Sequence, residues 1–314
     1  MAAPFPRIGI VGAGAIGCYY GARLALAGSD VSFLMRGDLA AVRARGSIRV
    51  HDGAVLAELR PARVFGSAAD MGPVDLVVIS LKTTSDGVRG LVEPLLGPAT
   101  AIFTLQNGLG ADEFLSGLFG SERIIGGLAF VAVNRGGPGE VRCFHPGSVT
   151  IGEFGRPPGA RTRALAGLLS AAGVRTQVVE SLLEARWRKL VWNIPFNGLS
   201  IAEGGITTDQ VCSDPRRADE ARALMREVQR AAAAFGFGIP DEFLAKQFAS
   251  TPPMGPYQPS SLVDFLAGRE VEVESIWGEP LRRARAVGVP MPRLEDLYSR
   301  LLRLCPPGRT VRVP

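Results

Sequence analysis

Of the 35 basic residues in this 314-residue chain, only three are lysines: Lys82, Lys189 and Lys246. Histidine is scarcer, with His51 and His145 the only two. So few imidazoles exclude a histidine-rich metal centre and any Ser-His-Asp set, and a catalytic proton must be sought on lysine. The four cysteines, Cys18, Cys143, Cys212 and Cys305, form no C-x-x-C pair and no metal-like spacing. They fit a reduced, cytoplasmic protein without a metal. Runs of like charge are missing too. The net charge is +5, but the arginines are scattered, which describes a solvated surface and not a nucleic-acid patch. One apolar run, IGIVGAGAIGCYYGARLALAG (8–28), approaches membrane length. Arg23 and repeated glycines break it, so it reads as neither a membrane anchor nor a signal peptide.

The glycines of that run have a different meaning. RIGIVGAGAIG reads as a short buried strand, a glycine turn and a helix running to about Ala27. DVSFLMR, VDLVVISLK (74–82) and TAIFTLQNG (100–108) are further strands, with helical patterns between them. Strands alternating with helices predict a parallel sheet covered on both faces. IRVHDGAVLAEL predicts a hairpin at Asp52-Gly53, and GEVRCFHPGSVTIGE a second near Pro146-Gly147, with both histidines in these turns. RTRALAGLLSAAG is one more helix, followed by a strand at VRTQVVE. Beyond about Glu180 only helical periods and turns follow, including a helix capped by Asp214 with Pro215 in its first turn. PPMGPYQPS (252–260) is a proline-rich loop. The expected fold is α/β: a doubly wound, Rossmann-type domain over residues 1–180, then an all-helical domain over 181–314.

Gly12, Gly14 and Gly17 form G-x-G-x-x-G between strand and helix. The first permits the tight turn, the second lets a pyrophosphate approach the backbone, and the third lets helix pack on strand. With Ala13, Ala15 and Ile16 they form a dinucleotide cradle at a helix N-terminus. The second strand ends in Met35 and Arg36, where an NAD site usually has an acid. A guanidinium there matches a 2′-phosphate, so the cofactor is expected to be NADP(H). Lys82 and Asn107 close two later strands, at the sheet edge where such folds bind ligands.

RWRKLVWNIPFNGLS (186–200) places Lys189, Asn193 and Asn197 four residues apart on one face of an otherwise apolar helix. Buried polar groups need partners. Either the three meet a ligand, or they cap neighbouring chain ends. Where arginine so outnumbers lysine, a retained lysine suggests a group that must release a proton. Lys189 and Lys82 fit that role, whereas Lys246, in FLAKQF, reads as a surface residue.

Taken in order, the glycine turn, SLKT, QNGLG, WRKLVWN, SSLVDFLAGREVEVE and LRRARAVGVPMP resemble the ketopantoate reductase family, and the likeness spans nearly the whole chain. The resemblance implies NADPH-dependent reduction of an α-keto acid, ketopantoate, on the route to pantothenate. It implies Lys189 as the general acid and substrate contacts from Asn107, Asn193, Asn197 and Ser261. It also implies cofactor contacts from Lys82, Asn107 and the backbone near Ala132, with Glu272 as the acid near the ribose and the reaction centre. Four positions depart from the pattern. Glu272 is one residue out of register with Ser261, leaving Glu274 as the alternative. Pro195 interrupts the lysine helix, Thr207 stands near where the family has a third asparagine, and ESIWG (274–278), which brings in Trp277, replaces a more polar stretch. The stripe of Lys189, Asn193 and Asn197 is expected to face an interdomain cleft, with an α-keto acid as its partner. A paralogous enzyme acting on another oxo acid, or an NADPH sensor without turnover, remain the alternatives. Neither nucleic acid nor membrane is an expected partner, and a monomer or a homodimer fits equally well.

Overall fold

The computed structural model describes residues 5–82 and 87–306. Thr83 of the SLKT motif lies outside the described residues. The chain divides into two compact units: Met1–Gln106 with Ala111–Leu182, and Asn107–Gly110 with Leu183–Pro314.

The first unit carries a ten-stranded sheet. Its strands are β1 (Arg7–Val11), β2 (Asp30–Leu34), β3 (Ile48–Asp52), β4 (Val55–Leu59), β5 (Arg63–Phe65), β6 (Val74–Ile79), β7 (Leu96–Thr104), β8 (Ile124–Arg135), β9 (Glu140–Glu153) and β10 (Thr176–Val178). They lie in the order β4-β3-β9-β8-β7-β6-β1-β2-β5, with β10 added alongside β9. Helices α1 (Ala15–Leu26), α2 (Leu39–Arg45), α3 (Ala68–Met71), α4 (Val88–Val92), α5 (Ala111–Phe119) and α6 (Ala160–Ala171) belong to this unit. From β7 to β5 the pairing is parallel throughout. These strands are apolar on both faces because alternate residues enter opposite cores. Ile10, Val78 and Phe103 join one cluster, and Val11, Ile79 and Ile102 the other. Gly21 lets α1 lie flat on the sheet: a Cβ there would stand 2.5 Å from the Phe33 ring and 2.9 Å from Ile10.

The β3–β4 hairpin turns at Gly53, which holds φ +59°. No hairpin forms at Pro146-Gly147. The chain instead reverses at Gly136–Gly139, between β8 and β9, and β9 runs on through both residues. Phe130 pairs with Ser148 and Ala132 with His145, so three steps on β9 oppose two on β8. This is a bulge. Pro146 suits it because it has no N–H to place in the ladder, and Gly147 suits it through φ +55°. A Cβ on Gly147 would fall 1.5 Å from the Phe130 carbonyl oxygen. His145 therefore lies in a strand and not in a turn, and His51 lies in β3 opposite Leu56.

In the second unit the described residues form helices and irregular segments, with no strand. The helices are α7 (Leu182–Ala202), α8 (Thr208–Ser213), α9 (Pro215–Ala234), α10 (Asp241–Ala249), α11 (Ser260–Leu266), α12 (Glu279–Ala286) and α13 (Pro292–Leu304), and a π-helical turn at Glu274–Gly278 precedes α12. Asp214 caps α9 by accepting from the Arg216 and Arg217 N–H groups at 2.9 and 3.1 Å. In the proline-rich stretch Pro252–Met254 forms a single 3₁₀ turn, and Ser260 already begins α11. Helix α7 continues through Pro195. Trp277 is fully buried; its indole N–H donates to the Ile194 carbonyl at 2.9 Å, and Gly198 makes room for the ring. Thr207 caps α8, with the Gln210 side chain accepting its N–H at 3.0 Å. Both departures from the family pattern thus have structural duties.

Glu227 of α9 is a buried carboxylate whose two oxygens accept from the Arg293 and Leu294 N–H groups of α13 at 3.1 and 2.9 Å. These are first-turn donors with no intrahelical acceptor. Glu227→Ala removes both acceptors at once. Denaturant titration should show a loss of about 2–4 kcal/mol, and an unchanged midpoint would refute this role.

Candidate functional site

In the first unit, β1 lies between β2 and β6, so the chain order reverses at its carboxyl end. Ligands of open α/β sheets bind at such a switch point. The glycine turn follows β1 here, and the Ser80–Lys82 segment follows β6. Gly12 holds φ +96°, and a Cβ on it would meet the Leu81 nitrogen at 2.7 Å. The Ser80 hydroxyl donates to the Gly12 carbonyl at 2.6 Å and fixes the turn. A Cβ on Gly17 would come within 2.3 Å of the same carbonyl oxygen. Gly14 differs: a Cβ there would meet nothing within 4 Å. Two glycines are therefore required by the protein's own packing, and the third faces open space beside the first turn of α1. The N–H groups of Ala15, Ile16 and Gly17 have no intrahelical acceptor, which is what a pyrophosphate needs. These residues fit a dinucleotide.

Arg36 lies two residues beyond β2, exposed, and its guanidinium has no partner among the described residues. The flanking acids are already engaged. Asp30 pairs with Arg63, while Asp38 accepts from Arg135 at 2.6 Å and from the Gly139 N–H at 2.9 Å. Lys82 and Asn107 were expected at strand ends; each instead lies three residues past its strand, in the following loop. Ala132 sits in β8 beside the bulge.

The second unit gathers a different set. The Lys189 ammonium donates to the Asn107 side-chain oxygen at 2.7 Å. Burial, then the Arg186 guanidinium, pulls its pKa down from the usual 10.5 to about 7, against the opposing influence of the Glu272 carboxylate. Glu272, not Glu274, is therefore the acid whose charge reaches the lysine. Glu274 belongs to a separate cluster, accepting from Arg282 at 2.7 Å and from the Tyr298 hydroxyl at 2.5 Å. Lys246 is exposed.

The remaining polar residues of the stripe divide. The Asn197 side-chain oxygen accepts the Ser261 N–H at 2.9 Å, so it caps the first turn of α11. Two of the expected site residues are thereby joined. The Asn193 amide and the Ser261 hydroxyl have no hydrogen-bond partner among the described residues, although both residues are at least nine-tenths buried.

The sequence did not show the clamp that holds the loop after Asn107. Gly108 adopts φ +80°, and a Cβ on it would lie 2.1 Å from the Ser275 carbonyl oxygen. The Leu109 N–H donates to that same oxygen at 2.9 Å. From the other side, a buried Arg186 donates to the Gly108 carbonyl at 3.4 Å. The dipeptide Asn107-Gly108 carried the only sequence signal for this clamp.

A doubly wound sheet whose switch point fits a dinucleotide, and a helical unit holding a partly buried lysine, have the features of a nicotinamide-dependent oxidoreductase acting on a small molecule. Residues 8–156 match the family model described as ketopantoate reductase PanE/ApbA, and residues 181–304 match the model of its C-terminal part. A 2-dehydropantoate 2-reductase of Nostoc is 36% identical over 311 residues, covering 97% of each chain. The crystal structure of a 2-dehydropantoate 2-reductase from Geobacter metallireducens aligns with a TM-score of 0.91 at 40% identity, covering 95% of this chain and 99% of that one. The chain belongs to the ketopantoate reductase family. A D-mandelate dehydrogenase solved with NADH and anilino(oxo)acetate shares the fold, with a TM-score of 0.85 at 21% identity over 95% of this chain and 97% of that one. Among the described residues no helix is long and apolar enough to cross a membrane, and no cluster could hold a metal ion.

The glycine geometry yields a paired test. Gly17→Ala should destabilise the apoprotein, because its Cβ collides with backbone. Gly14→Ala should leave the apoprotein melting temperature unchanged while weakening nucleotide binding about tenfold or more, since a methyl there would block the approach that close pyrophosphate contact requires. A melting temperature lowered by Gly14→Ala, or nucleotide affinity unaffected by it, would contradict the cradle.

Proposed function

We propose that this protein reduces 2-dehydropantoate to pantoate with NADPH, as a cytoplasmic enzyme of pantothenate biosynthesis. Bound NADPH supplies the hydride that adds to the ketone carbon. The protein's task is then to hold the ketone and to give its oxygen a proton. Lys189 serves as that donor: its ammonium passes a proton to the forming alkoxide, and the neutral amine regains one from solvent. The observation that carries this reading is the partly buried ammonium held 2.7 Å from the Asn107 side-chain oxygen. With a pKa of about 7, it can both release and recover a proton at neutral pH.

Asn107 orients the ammonium, and Glu272 keeps part of the population charged. The Asn193 amide and the Ser261 hydroxyl, which have no hydrogen-bond partner among the described residues, are assigned to the polar ends of the keto acid. Asn197 supports this set from behind through the Ser261 N–H. In the first unit the α1 N-terminus, from Gly12 to Gly17, takes the pyrophosphate, and Lys82 and Ala132 contribute further cofactor contacts. Arg36 takes the 2′-phosphate: its guanidinium is exposed and has no partner among the described residues, and both nearby acids are bound elsewhere.

Arg36→Ala removes a charge-assisted contact worth roughly 1.5–3 kcal/mol. The KM for NADPH should rise about tenfold or more, with NADH use nearly unchanged; equal effects on the two cofactors would sink the assignment. Lys189→Ala should fold, bind NADPH and lose turnover by roughly 10²–10⁴-fold. Lys189→Arg keeps the charge but is a poor proton donor, so it should recover part of the substrate binding and little of kcat. Near wild-type kcat in Lys189→Arg would show that charge alone suffices. The assay should compare 2-dehydropantoate with other α-keto acids. An aryl keto acid belongs in that panel, because the fold also serves a D-mandelate dehydrogenase. Preference for another acid would reassign the substrate, and no turnover with any of them would favour a sensor.

A further inference from the structure

We propose that Arg186 is a positioning residue for the reduction, holding the 107–109 loop in place and setting the charge environment of Lys189 from one helical turn away. The inference rests on Lys189 as the proton donor. Arg186 and Lys189 stand three residues apart on α7, and positions so spaced are neighbours on a helix surface. Arg186 is 3% exposed, an unusual place for a guanidinium unless it is engaged. Its Nη1 donates to the Gly108 carbonyl at 3.4 Å. The residue before that glycine is Asn107, whose side chain receives the Lys189 ammonium at 2.7 Å. On the opposite side the loop is stopped by Ser275, whose carbonyl oxygen accepts the Leu109 N–H at 2.9 Å. The Asn107 amide is thus aimed by a peptide clamped between Arg186 and the π-helical turn.

The second effect is electrostatic. Two charged groups of this unit act on the Lys189 ammonium in opposite senses: Arg186, from its own helix, and Glu272, from the segment before the π-helical turn. The guanidinium favours the neutral amine and the carboxylate favours the ammonium. Removing Arg186's charge therefore strengthens Lys189's hold on its proton. Reduction requires the protonated form, so its rate is full below the lysine pKa and lost as pH rises through it.

The test is the pH profile of kcat/KM for 2-dehydropantoate reduction by the full-length protein with saturating NADPH. Arg186→Gln should move the descending limb upward by about one pH unit, the size expected for a unit charge at a neighbouring helix position. Arg186→Lys keeps the charge and loses the fork, so its limb should stay in place while kcat falls several-fold. Circular dichroism and NADPH titration check that both variants are folded. A purely structural role predicts lower kcat at every pH with an unmoved limb in Arg186→Gln, and that result would overturn the proposal. A wild-type profile without any descending limb, together with an active Lys189→Ala, would instead refute the lysine as donor.

Discussion

The Lys189 ammonium is partly buried and is held by an amide oxygen 2.7 Å away. Much of the second unit's polar architecture follows from that one placement. A cation withdrawn from water needs either a counter-charge or a lower proton affinity. Here both occur in part, because Glu272 favours the charged form while burial and Arg186 oppose it. The balance leaves an ammonium that can exchange its proton near neutrality. It also requires that Asn107 be held still, since an acceptor free to swing away would leave the ammonium without its hydrogen bond. Gly108 and Ser275 supply that rigidity through an approach that no other residue at position 108 permits.

The glycine turn shows how far a short motif can be read. Spacing alone distinguished strand, turn and helix, and it assigned separate tasks to Gly12, Gly14 and Gly17. The geometry supports the division: two of the positions are crowded by backbone and one faces open space. Asp214 and Pro215 likewise announced the start of α9, since both act through local backbone chemistry. Such features are readable because their physics lies within a few residues of sequence.

What escaped the sequence involves partners distant along the chain. Pro146-Gly147 has the composition of a turn, yet β8 turns it into a bulge, and only the strand opposite decides between the two. Glu227 gave no hint that it caps a helix 66 residues further on. Arg186 stood beside Lys189 in a quoted motif and still went unremarked, because arginine is common in this chain and its buried contact lies with Gly108. For Asn197, read as facing a ligand, the sequence did not show that its oxygen accepts the Ser261 N–H, a contact of the capping kind. The helical period correctly placed the three polar residues on one face. It carried no information about which of them the protein itself would satisfy.

That division also bears on specificity. A reductase of small keto acids must hold its substrate by few contacts, and each buried polar group left open by the protein strongly rejects a ligand that cannot pair with it. Among the described residues the Asn193 amide and the Ser261 hydroxyl have no hydrogen-bond partner, whereas the Asn197 oxygen, Thr207 and the Trp277 indole are engaged by the chain's own framework. Thr207 and Trp277 stood out in sequence as departures from the family pattern, and their bonds to Gln210 and to the Ile194 carbonyl account for them as supports for α8 and α7. A change in substrate within this fold is therefore better sought at the Asn193 and Ser261 side chains, which have no hydrogen-bond partner among the described residues. Altering the engaged residues would disturb the scaffold before it altered the choice of ligand.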